Sequence, residues 1–277
     1  MRIQKADPRV SYRNNPLVEV ICQARFRRSE ILERPPGLLE DLASEGYTNV
    51  AEVSPVNIHI NVVGQQVGGT EVRESVSPAM AGGLQSYNCV TPDDNWTVSF
   101  NAESVSLSCK KYSSWSEFQP RLVKAIELYG KWYPGTKAVR LGLRYKDVID
   151  RNKLGLAHRE WHALIEPFLL GALSLNVFVD DGAIPDSEVA GCLTQALVRL
   201  EGCSLTLQSA LLRSVADDKK TVFLIDSDFS KDSEEISELA NSAEVLRTNL
   251  KVLHEHAGTL FRRVIKEELH GALEPIS

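Results

Sequence analysis

The most constraining feature of this sequence is the segment at residues 139–150, VRLGLRYKDVID, in which apolar and charged residues alternate. Successive side chains of an extended strand point to opposite faces, so the alternation predicts a strand with one face in a core. The apolar side chains expected on the core face are Val139, Leu141, Leu143 and Tyr145. The cationic side chains expected on the other face are Arg140, Arg144 and Lys146.

Similar patterns predict strands on both sides of this segment. Alternation predicts strands at residues 16–26, 56–63, 84–91, 95–102 and 103–112. Turn residues between the last three runs favour an antiparallel meander, and residues 64–83 are expected to form a glycine-rich loop. In the second half, a brief strand is predicted at residues 175–180. Strands that are apolar on both faces are predicted at residues 190–200, 203–212 and 221–229.

Helical spacing of apolar residues predicts four helices, at residues 35–46, 115–133, 158–173 and 241–269. The last one opens with Asn241 and Glu244, which have the spacing of a capping box. Its apolar stripe consists of Leu246, Leu250, Leu253, Leu260, Phe261 and Val264. The spacing resembles a coiled-coil seam, but aromatic and branched residues widen it. This favours packing on a sheet, and a dimer or partner contact through the same side chains is the alternative.

The order of these elements predicts an α+β fold, in which amphipathic helices pack on antiparallel sheets and a long helix ends the chain. The strands fall into two halves of similar size, each followed by an amphipathic helix. The predicted boundary separates residues 1–155 from residues 156–277, with one compact unit as the alternative.

Composition excludes several classes of protein. The chain of 277 residues is 43% hydrophobic, which is enough for a full core, and its net charge of -6 with a pI near 5.6 argues against a dedicated polyanion binder. No signal-peptide core or long apolar run is present, so we expect a cytoplasmic protein without membrane insertion. The five cysteines form no C-x-x-C pair and are expected to be reduced core thiols.

Candidates for enzyme chemistry are weak, and we predict no catalytic residue, metal site or cofactor. His158 and His162 could reach one metal ion from a helix, but HREWH is not a zinc-protease motif. Acidic pairs that could hold magnesium follow strand-like runs at Asp180 with Asp181 and at Asp226 with Asp228. No phosphate-binding loop or serine nucleophile motif accompanies them. A metal-dependent enzyme is therefore only the second alternative.

The strongest binding candidate is a basic strand face. Its cationic side chains are Arg25, Arg27, Arg140, Arg144 and Lys146. On one sheet they could form a patch for phosphates or for an acidic protein surface, because guanidinium groups suit both. The competing interpretation is an ordinary charged face, or one paired internally with acids such as Glu19, Glu103 or Asp147.

The chain resembles a sporadically distributed bacterial family of uncharacterised proteins. The resemblance spans nearly the whole chain and rests on NPLVEVICQARF (15–26), SWSEF (114–118), VRLGLRYKDVI (139–149) and HEHAGTLFRRVI (254–265). The positions that match are Arg25, Phe26, Trp115, Phe118, Arg140, Gly142, Arg144, Tyr145 and Phe261. The family's patchy distribution implies mobile-island genes, such as phage-defence or toxin–antitoxin modules.

Together these points favour a non-enzymatic recognition or assembly component of such a module. It would act through protein contacts of the arginine-bearing face, the last helix, or both. The expected partner is the product of a neighbouring gene or a phage component, and a homodimer or higher oligomer is also expected. The first alternative is nucleic-acid binding by the basic face.

Overall fold

A nine-stranded antiparallel sheet forms the centre of the protein. The computed structural model describes residues 3, 10–27, 35–53, 60–61, 73–74, 85–174, 188–189, 191–213, 221–232 and 234–276. The strands are β1 (Ser11–Tyr12), β2 (Leu17–Phe26), β3 (Asn49–Val53), β4 (Ile60–Asn61), β5 (Arg73–Glu74), β6 (Ser86–Val90), β7 (Trp96–Asn101), β8 (Ser104–Cys109), β9 (Ala138–Ile149), β10 (Cys192–Leu200), β11 (Cys203–Arg213), β12 (Thr221–Lys231) and β13 (Pro275–Ile276). The sequence predictions for residues 64–83 and 175–180 lie outside the described residues, apart from β5.

The order of strands in the large sheet is β10-β11-β12-β9-β2-β8-β7-β6-β3. Strand β9 is the fourth of the nine, between β12 and β2, and is antiparallel to both. The sheet therefore continues across the predicted boundary at residue 155. Two short ladders lie outside it, β4 with β5 and β1 with β13, and the second joins the two ends of the described chain.

The helices are α1 (Pro36–Ser44), α2 (Trp115–Trp132), α3 (Trp161–Leu164), α4 (Pro167–Leu170), α5 (Ala243–Val264) and α6 (Glu267–Ala272). Helix α2 packs on β8, and α5 packs on β9 and β12. A single apolar core fills the space between these helices and the sheet. The predicted α+β class, antiparallel strands and long C-terminal helix are confirmed. Within the described part of the chain, none of the helices has the length and apolar character needed to cross a membrane.

Two bulges change the predicted alternation at the centre of the sheet. The register between β2 and β9 shifts next to Val18 and again next to Val139. An extra residue in one strand reverses which face the following side chains occupy. Val139, predicted to face the core, is therefore 41% exposed. Val18, which strict alternation would place on the same face as the buried Val20, is 45% exposed.

The helix predicted at residues 158–173 is wrong as a single element. It consists of the short helices α3 and α4, separated by Ile165 and Glu166 in extended conformation. Pro167 disfavours a helical conformation for the residue before it, which explains the break. Ile165 instead forms an isolated bridge with Ile265.

The last helix differs from its prediction at both ends. Its N-cap is Ser242, whose hydroxyl accepts a hydrogen bond from the Val245 backbone N–H at 3.3 Å, rather than Asn241. The helix ends at Val264 because Ile265 is extended, and α6 follows as a separate helix.

Candidate functional site

The cationic face predicted on β9 exists, but its arginines are paired with carboxylates of β12. Arg140 Nη2 lies 2.7 Å from Asp228 Oδ2, and Arg144 Nε lies 2.7 Å from Asp226 Oδ1. Gly142 lies between the two arginines, and a Cβ there would come within 2.5 Å of a guanidinium nitrogen of Arg140. The glycine therefore leaves the space through which Arg140 reaches its carboxylate.

The remaining cations of the predicted face have different surroundings. Lys146 Nζ lies 2.6 Å from Glu19 Oε2 on the neighbouring strand β2. Arg25 is half-buried and Arg27 is exposed, and neither forms an ion pair with a described residue. Three of the five predicted cations are thus neutralised within the sheet. For these three cations the structure therefore matches the competing interpretation, in which the face is paired internally with acids.

The apolar stripe of α5 packs inside the molecule. Its buried members are Leu246, Leu250, Leu253, Leu260 and Val264, none more than 7% exposed. Phe261 is half-buried and meets the Tyr12 ring edge-on, with 5.8 Å between ring centroids. The leucines therefore stabilise the contact between α5 and the sheet. A partner contact through the same side chains would require the helix to leave the sheet.

The residues considered as metal ligands do not come together among the described residues. His158 lies in the turn before α3 and His162 within α3. Asp226 and Asp228 hold the arginines of β9, whereas Asp180 and Asp181 lie outside the described residues. Across the described ranges, the structure contains no group of three histidine, cysteine or acidic side chains that could hold a metal ion.

A large cavity lies on the helix-covered side of the sheet. Its volume is about 1030 Å³. Strands β9 and β12 form its floor, α5 forms its roof, and the start of α2 with strands β1 and β13 closes its sides. Cavities that hold drug-sized ligands have volumes of roughly 300–1,000 Å³, so this one is large enough for a small molecule.

Two buried polar side chains of the floor face this cavity. Asp147 is 7% exposed and Ser227 is 5% exposed, and both line the cavity. Among the described residues, none hydrogen bonds to the Asp147 carboxyl or to the Ser227 hydroxyl. Burial, with a smaller contribution from the neighbouring Asp226 carboxylate, raises the pKa of Asp147 to about 8. Buried polar groups usually have partners, so the floor is a candidate ligand-binding surface.

An aromatic group forms the wall beside this floor. A hydrogen bond of 2.7 Å joins the Tyr145 hydroxyl to His254 Nδ1 on α5. The Trp115 ring stacks on the His254 ring, with centroids 3.8 Å apart. Trp115 is held there because Ser114 caps α2 and accepts a hydrogen bond from the Glu117 backbone N–H at 3.3 Å. These contacts fix the wall in one arrangement.

Cationic side chains of α5 also line the cavity. Arg247 and Lys251 are exposed, and Lys251 Nζ lies 4.0 Å from Glu255 Oε1. Arg262 is half-buried and is held by the Glu267 carboxylate and by a hydrogen bond to the Ile265 carbonyl. Its positive charge is therefore already paired, and it leaves the Asp147 carboxyl free.

Sequence reasoning missed this cavity, although two signals pointed to it. Asp147 has the same strand phase as Leu143 and Tyr145, so alternation places a carboxylate on the core face. We expected it as a partner of the basic face, which lies on the opposite side of β9. In addition, Trp115, Tyr145 and Phe261 are among the positions that carry the family resemblance, and all three line the cavity.

Comparison with known proteins gives no assignment, because no protein-family model and no curated protein sequence matches the chain. The functional conclusion therefore depends on the geometry and chemistry of the site.

Proposed function

We propose that the chain is a recognition protein and that it binds a small molecule in the cavity between α5 and the sheet. The observation that carries this proposal is the floor, where Asp147 and Ser227 are both more than nine-tenths buried and have no described partner. Both side chains line the cavity, so a ligand bound there can hydrogen bond to the Asp147 carboxyl and to the Ser227 hydroxyl.

The walls support the same conclusion. Small-molecule sites are typically concave and largely apolar, with a few polar groups that fix the ligand's orientation. Here Trp115, Tyr12 and Phe261 supply aromatic surface, and the buried polar groups Asp147 and Ser227 lie next to each other on the floor. The hydrogen bond between Tyr145 and His254 holds sheet and helix in register around the cavity.

The wider role is a separate prediction that rests on the family resemblance. We propose recognition within a phage-defence or toxin–antitoxin module, with a protein partner from a neighbouring gene or a phage. Affinity purification from infected and uninfected cells tests it.

Nucleic-acid binding has less support, because Arg140, Arg144 and Lys146 are paired with carboxylates. For that alternative, salt-dependent binding of duplex DNA is the test.

The cavity proposal is tested by a fragment screen against a blocked variant. Ser227→Phe places a ring in the floor, while Ser108→Phe places the same ring on the opposite face of the sheet and serves as the matched control. Fragments detected by ligand-observed NMR should bind the wild type and Ser108→Phe but not Ser227→Phe, with circular dichroism confirming that both variants fold.

Fluorescence gives an independent measurement if Ser227→Phe does not fold. Fragments in the cavity should change the emission of Trp115, and the change should disappear in Trp115→Phe. A screen in which no fragment binds, or in which binding is the same in all variants, would overturn the proposal.

A further inference from the structure

We propose that the ligand is an organic cation with N–H donors, a primary amine or a guanidinium, and that Asp147 is its counter-ion. This inference rests on the proposed function, because it names the class of ligand for the same cavity. It is carried by the chemistry of the floor and by the charges around it.

The floor favours a donor over an acceptor. Once a cation has displaced its proton, the Asp147 carboxylate only accepts hydrogen bonds, and the Ser227 hydroxyl accepts two and donates one. Ser227 is paired with Tyr145 across β12 and β9, so it is a diagonal neighbour of Asp147 on the same face. Diagonal neighbours in a sheet are roughly 7–8 Å apart, and a group with several N–H donors could reach both from between them. An anionic ligand would instead be repelled by the Asp147 carboxylate and by the nearby Asp226 carboxylate of the neighbouring strand.

No cation from the described part of the chain occupies this position. The charged and titratable groups around Asp147 are Tyr12 of β1, His254 and Arg262 of α5, Glu267 of α6 and Asp226 of β12. Arg247, Lys251 and Glu255 of α5 also line the cavity, but all three are exposed to solvent, and Lys251 lies next to Glu255. Arg262 lines the same cavity, but its guanidinium is bound to Glu267 and to a backbone carbonyl. His254 is held by the Tyr145 hydroxyl. A cationic ligand would supply the missing partner.

The aromatic walls fit a cation equally well. The rings of Tyr12 and Phe261, which line the cavity, pack edge to face. The rings of Tyr112 and Tyr145 also pack edge to face, with 6.5 Å between their centroids. Aromatic rings attract ammonium and guanidinium groups through their faces, and more strongly where water is excluded. They also provide apolar surface for an alkyl chain attached to the cationic group.

Binding of such a ligand is coupled to a proton. In the empty cavity the Asp147 carboxyl keeps its proton at neutral pH, because burial raises its pKa to about 8. An ammonium ion favours the ionised carboxylate, so the Asp147 proton passes to solvent and the N–H donors bind the oxygens that remain. Affinity should therefore rise by up to about tenfold per pH unit from pH 6 to 8, then level off until the amine deprotonates near 10.

Isothermal titration calorimetry with matched probes tests this inference. The cationic probes are hexylamine, agmatine and spermidine, and hexan-1-ol and hexanoate have the chain length of hexylamine with a neutral or anionic head. We expect the cations to bind at pH 7 and the two controls to fail. Heats measured in buffers without a primary amine and with different ionisation enthalpies, phosphate and HEPES at pH 7 and borate and CHES above pH 9, should show release of close to one proton per cation at pH 7 and of almost none above pH 9.

Variants separate the role of Asp147 from general effects on the cavity. Asp147→Asn keeps the shape and should weaken cation binding at least about 100-fold, with no remaining proton release. Ser227→Ala should weaken it about fivefold, and Ser106→Ala, on the opposite face of the sheet, should leave it unchanged. Equal cation affinity in Asp147→Asn and wild type would overturn the inference.

The two proposals fail in different ways. If fragments bind the cavity but the cations do not, or if hexanoate binds as well as hexylamine, the cavity remains a ligand site and the cation assignment is wrong. If neither the fragments nor the cations bind, both proposals are wrong.

Discussion

Replacing Asp147 by asparagine should raise the stability of the empty protein at neutral pH. The folded protein raises the pKa of this carboxyl to about 8, whereas the unfolded chain has the ordinary value of about 3.9. Below about pH 4 both states hold the proton, so the group does not affect stability. Between pH 4 and 8 only the unfolded state loses the proton, so stability falls as pH rises, and above pH 8 the loss is complete.

The size of the effect follows from the difference between the two pKa values. Each unit corresponds to about 1.36 kcal/mol, so at pH 7 the buried carboxyl lowers the free energy of unfolding by about 4 kcal/mol. Asparagine has a similar shape and no charge, so Asp147→Asn should remove most of this penalty. At roughly 2 °C for each kcal/mol in a chain of this size, Tm should rise by about 8 °C at pH 7.

Thermal and guanidinium unfolding at pH 4, 5.5, 7 and 8.5 measure this difference directly. The stability of Asp147→Asn and wild type should be similar at pH 4 and should diverge as pH rises. Glu127→Gln, which removes an exposed carboxyl on α2, should show no such divergence. A variant that is no more stable than wild type at pH 8.5, or whose advantage is the same at every pH, would refute the assignment of Asp147 as a buried, unpaired acid.

Three further predictions test other parts of the structure. Arg144→Met should destabilise the protein by about 3–5 kcal/mol, because it leaves the Asp226 carboxylate, which is 3% exposed, as an unpaired buried charge. Adding Asp226→Leu to this variant should restore most of the lost stability. A loss of under about 1 kcal/mol for the single variant in denaturant unfolding would contradict this. Ser242→Ala should cost about 1 kcal/mol through loss of the helix cap and Asn241→Ala much less, and the reverse order would support the sequence-predicted cap. Treatment of the native protein with iodoacetamide, followed by peptide mass spectrometry, should show labelling of Cys192 only. The other four thiols are buried, and burial raises their pKa, so they should react slowly. Early labelling of any of those four would argue against the core packing.

Local patterns predicted most of the secondary structure correctly. The strands of the meander, the helix at α2 and the long last helix were all visible, because their side chains repeat with the period of the element. The errors are also local in origin. The bulges at Val18 and Val139 shift the alternation by one residue, and Pro167 breaks a helix whose apolar spacing continues through it.

The basic face shows why pairing was harder to predict than position. Alternation correctly placed Arg140, Arg144 and Lys146 on one side of β9. It could not show that β12 would be the neighbouring strand, some eighty residues later in the chain, or that Asp226 and Asp228 would face the arginines. Strand order and register decide which charges meet, and both are set by long-range packing.

The sequence alone determined the fold class, strand β9 with its two faces and the apolar face of the last helix, because these depend on hydrophobic periodicity over a few neighbouring residues. Only the tertiary structure decided that the arginines are paired and that Asp147, Ser227, His254 and Trp115 surround one cavity. These four side chains come from four different elements, and their electrostatics depend on burial and distance. Neither quantity exists until sheet and helix have packed together.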